Sequence, residues 1–247
     1  MSLYAIGDLH LHFASPLKAG NQTKGIWRNH EERFRRICQD LIRPEDTLVL
    51  AGDHSWGRTL EEAMPDLEYI MRLPGRKVLL RGNHDMFWDA GKTEKLNRAF
   101  NGRLTFLQNN FVPYEDGALV GTKGYTFEGP FQVGYLGRIM SWDPEAKDHA
   151  DLLVERESRR LRRSLDMARA NGRAPIVLFL HYPPTSILEK DSIFTRMAAS
   201  SGVRHVVYAH CHGEARFHDS LLGEHDGICY HLVSGDYLRW IPEKILP

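Results

Sequence analysis

The chain has 247 residues, with 32 basic and 32 acidic side chains and therefore a formal net charge of zero. A balanced charge creates no global field that would attract nucleic acid or an anionic membrane, so both partners are disfavoured. The N-terminus lacks a basic segment followed by an apolar one, and no apolar run approaches the ~20 residues of a membrane span. Three scattered cysteines argue against a disulfide framework, so we expect a cytoplasmic location.

Apolar runs and helical spacing predict strands alternating with helices along the chain. Predicted strands cover residues 3–6, 47–51, 77–80, 104–107, 118–120, 176–180, 205–209 and 228–233. Predicted helices cover residues 30–42, 60–73, 93–100, 150–171 and 192–200. This order indicates an α/β fold, with either a mixed sheet or two sheets packed together. No linker divides the chain, so residues 1–247 are expected to form one domain, with a loop or insertion at about 122–149.

Residue types that bind metal ions follow five of the predicted strands. They are Asp8 with His10, Asp53, Asn83 with His84 and Asp85, His181, and His210 with His212. Ligands bind beyond the carboxyl ends of strands in open α/β sheets, so five such ends predict one shared site. Side chains at i and i+2 of an extended chain point the same way, which would let each Asp-x-His or His-x-His pair reach one ion. Glycines at positions 7, 52 and 82 would let the backbone turn there.

Imidazole and carboxylate donors without a thiolate suit Zn, Fe, Mn or Ni. Seven candidate ligands are too many for one catalytic ion, which uses about three protein ligands and a water. They suit two ions that share a carboxylate, roughly 3.5–4 Å apart, which can activate a bridging water and clamp the oxygens of an in-line displacement.

The ordered motifs DLH, GDH, GNHD, HYPP and AHCH resemble those of the calcineurin-like metallophosphoesterase superfamily, in particular its bacterial-type phosphohydrolases. The resemblance implies a four-layer α/β/β/α sandwich and two metal ions, with Mn, Fe or Zn expected. It implies that Asp53 bridges the ions and that His84 contacts the phosphate and stabilises or protonates the leaving group. It also implies the remaining metal ligands, which are Asp8, His10 and His212 for the first ion and Asn83, His181 and His210 for the second.

One segment departs from the Ser/Thr protein phosphatases of this superfamily, which carry GDxVDRG where this chain has GDHSWGR. Trp56 stands in place of the acid that would orient the catalytic histidine. Gly57 stands in place of the phosphate-binding arginine, with Arg58 one position further along. The departure disfavours a protein phosphatase of that group and leaves open what orients His84.

The sequence therefore predicts hydrolysis of a small phosphomonoester or phosphodiester by a hydroxide that bridges two metal ions. The expected catalytic residues are Asp53, Asn83 and His84, and the expected substrate contacts are His54, Trp56, Arg58 and Trp88. The tryptophans could form an aromatic wall for an organic leaving group, or pack within ordinary loops. The alternatives are a nuclease of the same superfamily and a scaffold protein that has lost catalysis, and the oligomeric state is left open.

Overall fold

The computed structural model describes residues 1–14, 24–126, 144–187 and 191–247, together with the side chains of all of these except 144–147. Its helices are α1 (His30–Leu41), α2 (Leu60–Met71), α3 (Thr93–Phe100), α4 (Pro144–Ala170), α5 (Ile193–Ser201) and α6 (Glu214–His218). Its first six strands are β1 (Leu3–Ile6), β2 (Thr47–Leu50), β3 (Arg76–Leu80), β4 (Thr105–Leu107), β5 (Phe111–Tyr114) and β6 (Gly117–Thr122). The others are β7 (Pro175–Leu180), β8 (His205–Tyr208), β9 (Gly223–His225), β10 (Ile228–Leu232) and β11 (Glu243–Leu246).

In the described residues the strands form two mixed sheets. The first has the order β11-β1-β2-β3-β4 and the second the order β5-β6-β7-β8-β10-β9. Strands β1 to β4 run parallel, as do β6, β7, β8 and β10, whereas β5, β9 and β11 are antiparallel edge strands. The sheets meet at the carboxyl ends of β1 and β10, where the Gly7 N–H donates to the Val233 carbonyl at 2.7 Å. Strand ends from both sheets therefore lie at one joint.

Three apolar layers account for the packing of the two sheets. Side chains such as Ala5, Val49 and Phe179 fill the space between the sheets. The outer face of the first sheet packs against α1, α2 and α3, and the outer face of the second packs against α4 and α5. The architecture is thus the predicted four-layer α/β/β/α sandwich.

The sequence patterns predicted the main helices and strands, but several short elements were not predicted. The expected loop at 122–149 is wrong at its C-terminal end, because α4 begins at Pro144, and residues 127–143 lie outside the described part of the chain. Proline at the first helical position is a start signal that could have corrected the boundary. None of the described helices combines the length and apolar character needed to cross a bilayer.

Candidate metal centre at the joint of the two sheets

Four strand ends bring six of the seven predicted ligands into two groups. Asp8, His10 and His212 form one group, and Asp53, His181 and His210 form the other. Within each group the potential ligand atoms lie within 4.8 Å of one another. Because these residues follow β1, β2, β7 and β8, strands of both sheets contribute to the site.

Asp53 connects the two groups. Its Oδ2 lies 3.7 Å from His10 Nε2 in one group and 3.4 Å from His181 Nε2 in the other. Its Oδ1 accepts a hydrogen bond from the His84 backbone N–H at 2.8 Å. Asn83, on the same loop as His84, places its Oδ1 2.8 Å from His181 Nε2. The predicted ligands therefore meet in one place, with a carboxylate between the two groups.

The backbone reaches this arrangement in a way that the sequence did not predict. Asp8, His10, Asp53 and His210 have φ angles of 59°, 46°, 53° and 70°, in the left-handed region that non-glycine residues rarely adopt. Asp8 and His10 do lie in one group as predicted, but not because the chain between them is extended. Tight left-handed turns aim these side chains instead, and such strained backbone clusters at functional sites. The prediction that His210 and His212 reach one ion together is wrong, because they lie in different groups.

Glycines leave the room that the loops need. A Cβ atom built on Gly82 would lie 2.1 Å from Asp53 Oδ1, and one on Gly52 would lie 2.3 Å from His181 Nδ1. Gly52 also has a φ of 100°, so it serves the turn that the sequence predicted. The absence of a side chain at position 82 instead lets two loops approach closely.

Asp85 ties the loop after β2 to the loop after β3. Its carboxylate is fully buried and accepts backbone N–H groups from Gly82 at 2.7 Å, Asp53 at 3.0 Å and His54 at 2.8 Å. Because buried N–H groups need acceptors, this carboxylate fixes the relative position of Asp53 and the Asn83-His84 pair.

Replacing Asp85 with Asn should lower the free energy of unfolding by about 1–3 kcal/mol, because an amide NH₂ would face buried N–H donors. Denaturant unfolding measures this loss. The matched control is Asp116→Asn, at an exposed turn, which should unfold like the wild-type protein. Equal stability of the two variants would contradict the role given to Asp85.

Two histidines of the site have their second ring nitrogen held by another group. His212 Nδ1 lies 3.0 Å from Asp236 Oδ1, and His181 Nδ1 lies 2.9 Å from the Ala51 carbonyl oxygen. Metal-binding histidines usually donate their other N–H in this way, which fixes the ring. Asp236 was not among the predicted site residues, although it follows β10 in a Ser-Gly-Asp segment and so carries the same signal as Asp53.

The donor set fits cations. Asp8 Oδ1 is buried without a hydrogen-bond partner and lies 3.9 Å from both His212 Nε2 and His181 Nδ1. An unpartnered buried carboxylate oxygen is costly. A cation beside Asp8 would supply the missing partner, and the imidazole and carboxylate donors suit Zn, Fe or Mn.

Protonation of the histidines divides them into two pairs. Burial lowers the pKa of His10 to about 3 and that of His210 to about 2, so both rings are neutral with free lone pairs at pH 7. Burial also acts to lower the pKa values of His181 and His212, but the carboxylates of Asp53 and Asp8 raise them to about 9 and about 8. Cations binding here would displace those protons, since ligating imidazoles must be neutral.

Tryptophan rings form one wall of the site. The Trp56 ring stacks 5.1 Å from the His10 ring and lies 4.3 Å from the His84 ring. Trp27 lies 5.4 Å from His212. Trp56 therefore packs directly against the residue whose orientation the sequence left open.

The four predicted substrate contacts are placed differently. Trp56 is partly exposed within the aromatic wall, and Arg58 is exposed just before α2, so both stay predictions. His54 and Trp88 are fully buried. His54 Nε2 lies 2.8 Å from the Leu80 carbonyl oxygen, and Trp88 packs in the core and donates to Thr93 Oγ1 at 3.2 Å. Their burial argues against substrate contact. The prediction rested on their closeness to the ligands along the chain, which does not determine the direction in which a side chain points.

Known proteins resemble this chain in sequence and in fold. The model of the calcineurin-like phosphoesterase family matches residues 1–214. Phosphopantetheinyl hydrolase (PptH) from Mycobacterium tuberculosis superposes with a TM-score of 0.61 at 16% identity, over 100% of this chain and 96% of that one. The protein TT1561 of Thermus thermophilus gives 0.52 at 8% identity, over 99% and 97%. At these identities the two structures show a shared fold.

A sequence relative is the Gene 66 protein of Mycobacterium phage D29, which is 27% identical over 99 residues. The aligned segment covers 38% of this chain and 48% of that protein, about half of the relative's length. Since the family model covers most of its length, the chain belongs to the calcineurin-like phosphoesterase family.

Proposed function

We propose that the chain hydrolyses small phosphomonoesters or phosphodiesters at a pair of metal ions. The observation that carries the proposal is the position of Asp53, whose carboxylate reaches a histidine in each of the two groups. One shared carboxylate between two sets of neutral and acidic donors is the arrangement that a dinuclear site requires. Manganese, iron and zinc all suit the donors.

Each group has the ligands for one ion. The proposed ligands are Asp8, His10 and His212 for the first ion, Asn83, His181 and His210 for the second, and Asp53 for both. When bound, such ions neutralise charge on phosphate oxygens and lower the pKa of the attacking water. Asp236 and the Ala51 carbonyl hold the rings of His212 and His181 in the ligating orientation.

His84 is the proposed proton donor to the leaving oxygen. Its ring lies 5.4 Å from the His10 ring, beside the ligands but in neither group, and Trp56 covers it on one side. Its backbone N–H donates to Asp53 Oδ1, which ties the backbone of His84 to the shared carboxylate. An imidazole placed beside the leaving oxygen can deliver a proton as that oxygen departs.

The test uses chelated protein reloaded with Mn²⁺, Fe²⁺ or Zn²⁺. We expect metal-dependent release of p-nitrophenolate from p-nitrophenyl phosphate or from the bis(p-nitrophenyl) diester. A folded, metal-loaded protein that is inactive on both esters would contradict the proposal.

Faster cleavage of single-stranded DNA than of either ester would favour the nuclease, which the zero net charge disfavours. A chain that takes up no metal would favour the scaffold. The cytoplasmic location stays a prediction from the sequence.

A further inference from the structure

A second set of metal-binding residue types lies at the other end of the second sheet. His205, Cys229 and His231 place one potential ligand atom each within 4.8 Å of the other two. His205 is the first residue of β8, whereas His210 follows the end of that strand. Five residues of strand span about 16 Å, so this set is separate from the proposed catalytic centre.

The pleat and the register of the sheet explain the convergence. Cys229 and His231 are two residues apart on β10 and therefore share a face, and Cys229 pairs with His205 of the neighbouring strand. Tyr230, which lies between Cys229 and His231, and Val206, which follows His205, pack on the helix side of the sheet. All three potential ligands thus point toward the space between the two sheets, which is otherwise filled by apolar side chains.

The opposite sheet supplies a carboxylate at the same place. Glu243 is on β11, and its Oε1 lies 2.7 Å from His231 Nδ1. Ile245, two residues along the same strand, is part of the apolar layer between the sheets, which agrees with the direction in which Glu243 points. A carboxylate on one ring nitrogen leaves the other available as a ligand, as in carboxylate–histidine–metal sites.

The remaining nitrogens are placed as two ligands of one ion would be. His231 Nε2 lies 3.1 Å from His205 Nδ1. Two nitrogens at about 2.05 Å from a tetrahedral ion lie roughly 3.3 Å apart. A plain hydrogen bond between the rings would also give this distance, and it would link the sheets through a Glu243–His231–His205 relay. That relay gives Cys229 no role, whereas a metal site uses all three donors.

We propose that His205, Cys229 and His231 bind one Zn²⁺ ion between the two sheets, with Glu243 holding the His231 ring. One thiolate and two imidazoles suit zinc in tetrahedral coordination, with a fourth position left for water. The site joins the edge strand β11 of the first sheet to β8 and β10 of the second. It is independent of the phosphoesterase reaction proposed above.

Cobalt substitution tests the proposal, because a thiolate ligand gives Co²⁺ an intense near-ultraviolet charge-transfer absorption that imidazoles and carboxylates lack. The proposed catalytic ligands include no thiolate, so cobalt there does not contribute. Full-length protein, chelated and then titrated with Co²⁺, should develop the band, and Zn²⁺ should compete with cobalt and remove it. The Cys229→Ser variant should lose the band and one metal ion per chain while keeping its Mn²⁺-dependent esterase activity. Glu243→Gln should weaken cobalt binding about 10–100-fold.

The control variant is His225→Gln, which removes a histidine on the adjacent strand β9 that contacts the Leu222 carbonyl instead. It should keep the band at full intensity. A wild-type protein without the band would overturn the zinc site and favour the hydrogen-bonded relay. A band that persists in Cys229→Ser would assign the thiolate to another cysteine and overturn it equally. Neither result depends on ester hydrolysis, so these outcomes test the zinc site without testing the proposed esterase function.

Discussion

Replacing Asp53 with Asn should lower kcat for ester hydrolysis by about a thousandfold or more. The carboxylate is buried and is the group that reaches both sets of donors. An amide of the same shape can still accept the His84 N–H, but it brings no negative charge and only one oxygen. Losing about 4 kcal/mol of charge stabilisation in the transition state corresponds to a thousandfold in rate. Steady-state kinetics with saturating Mn²⁺ and metal analysis of the same sample measure the effect.

Metal content separates a loss of ligation from a loss of fold. The Asn variant should retain its thermal unfolding transition while binding fewer ions in the catalytic centre. Asp40→Asn, an exposed change on α1, serves as the matched charge control and should keep both activity and metal. Wild-type turnover in the Asp53 variant would show that this carboxylate is not shared between two ions.

The interior of the fold could be predicted from the sequence, and its margins could not. Buried parallel strands such as β2 and β7 read as continuous apolar runs, so their positions were clear. The edge strands β5 and β11 carry exposed or polar residues and even a proline, Pro113. Edge strands tolerate these residues because one side of their backbone is unpaired, which removes the pattern that would reveal them.

The metal-ligand residues could be predicted because their residue types and their positions just after apolar strands are both visible in the sequence. The supporting groups depend on long-range contacts instead. Trp240 is fully buried, and its Nε1–H donates to the Ile26 carbonyl, 214 positions earlier in the chain, at 2.8 Å. It also packs 4.9 Å from the Trp27 ring. No local spacing in the sequence links residues so far apart, so this part of the aromatic wall could not be predicted without the structure.

His84 gives the second large prediction. Replacing it with Ala should lower kcat about 10²–10⁴-fold on an alkyl phosphate, whose leaving oxygen needs a proton. The loss should be much smaller on p-nitrophenyl phosphate, because nitrophenolate departs readily without protonation. Metal content should not change, since the His84 ring belongs to neither group of ligands. Parallel kinetics on the two esters therefore separate proton donation from metal binding and from phosphate positioning.

The matched control is His218→Ala, at an exposed histidine of α6 whose side chain is 82% accessible, which should leave both rates unchanged. An equal loss on both esters would give His84 a role in binding phosphate rather than in protonating the leaving group, since charge on the phosphate oxygens is common to the two substrates. Full activity on the alkyl ester would remove His84 from the reaction altogether. Trp56 packs against the His84 ring, so Trp56→Phe tests that contact. This variant should preserve the difference between the two esters if the His84 ring keeps its position without the indole.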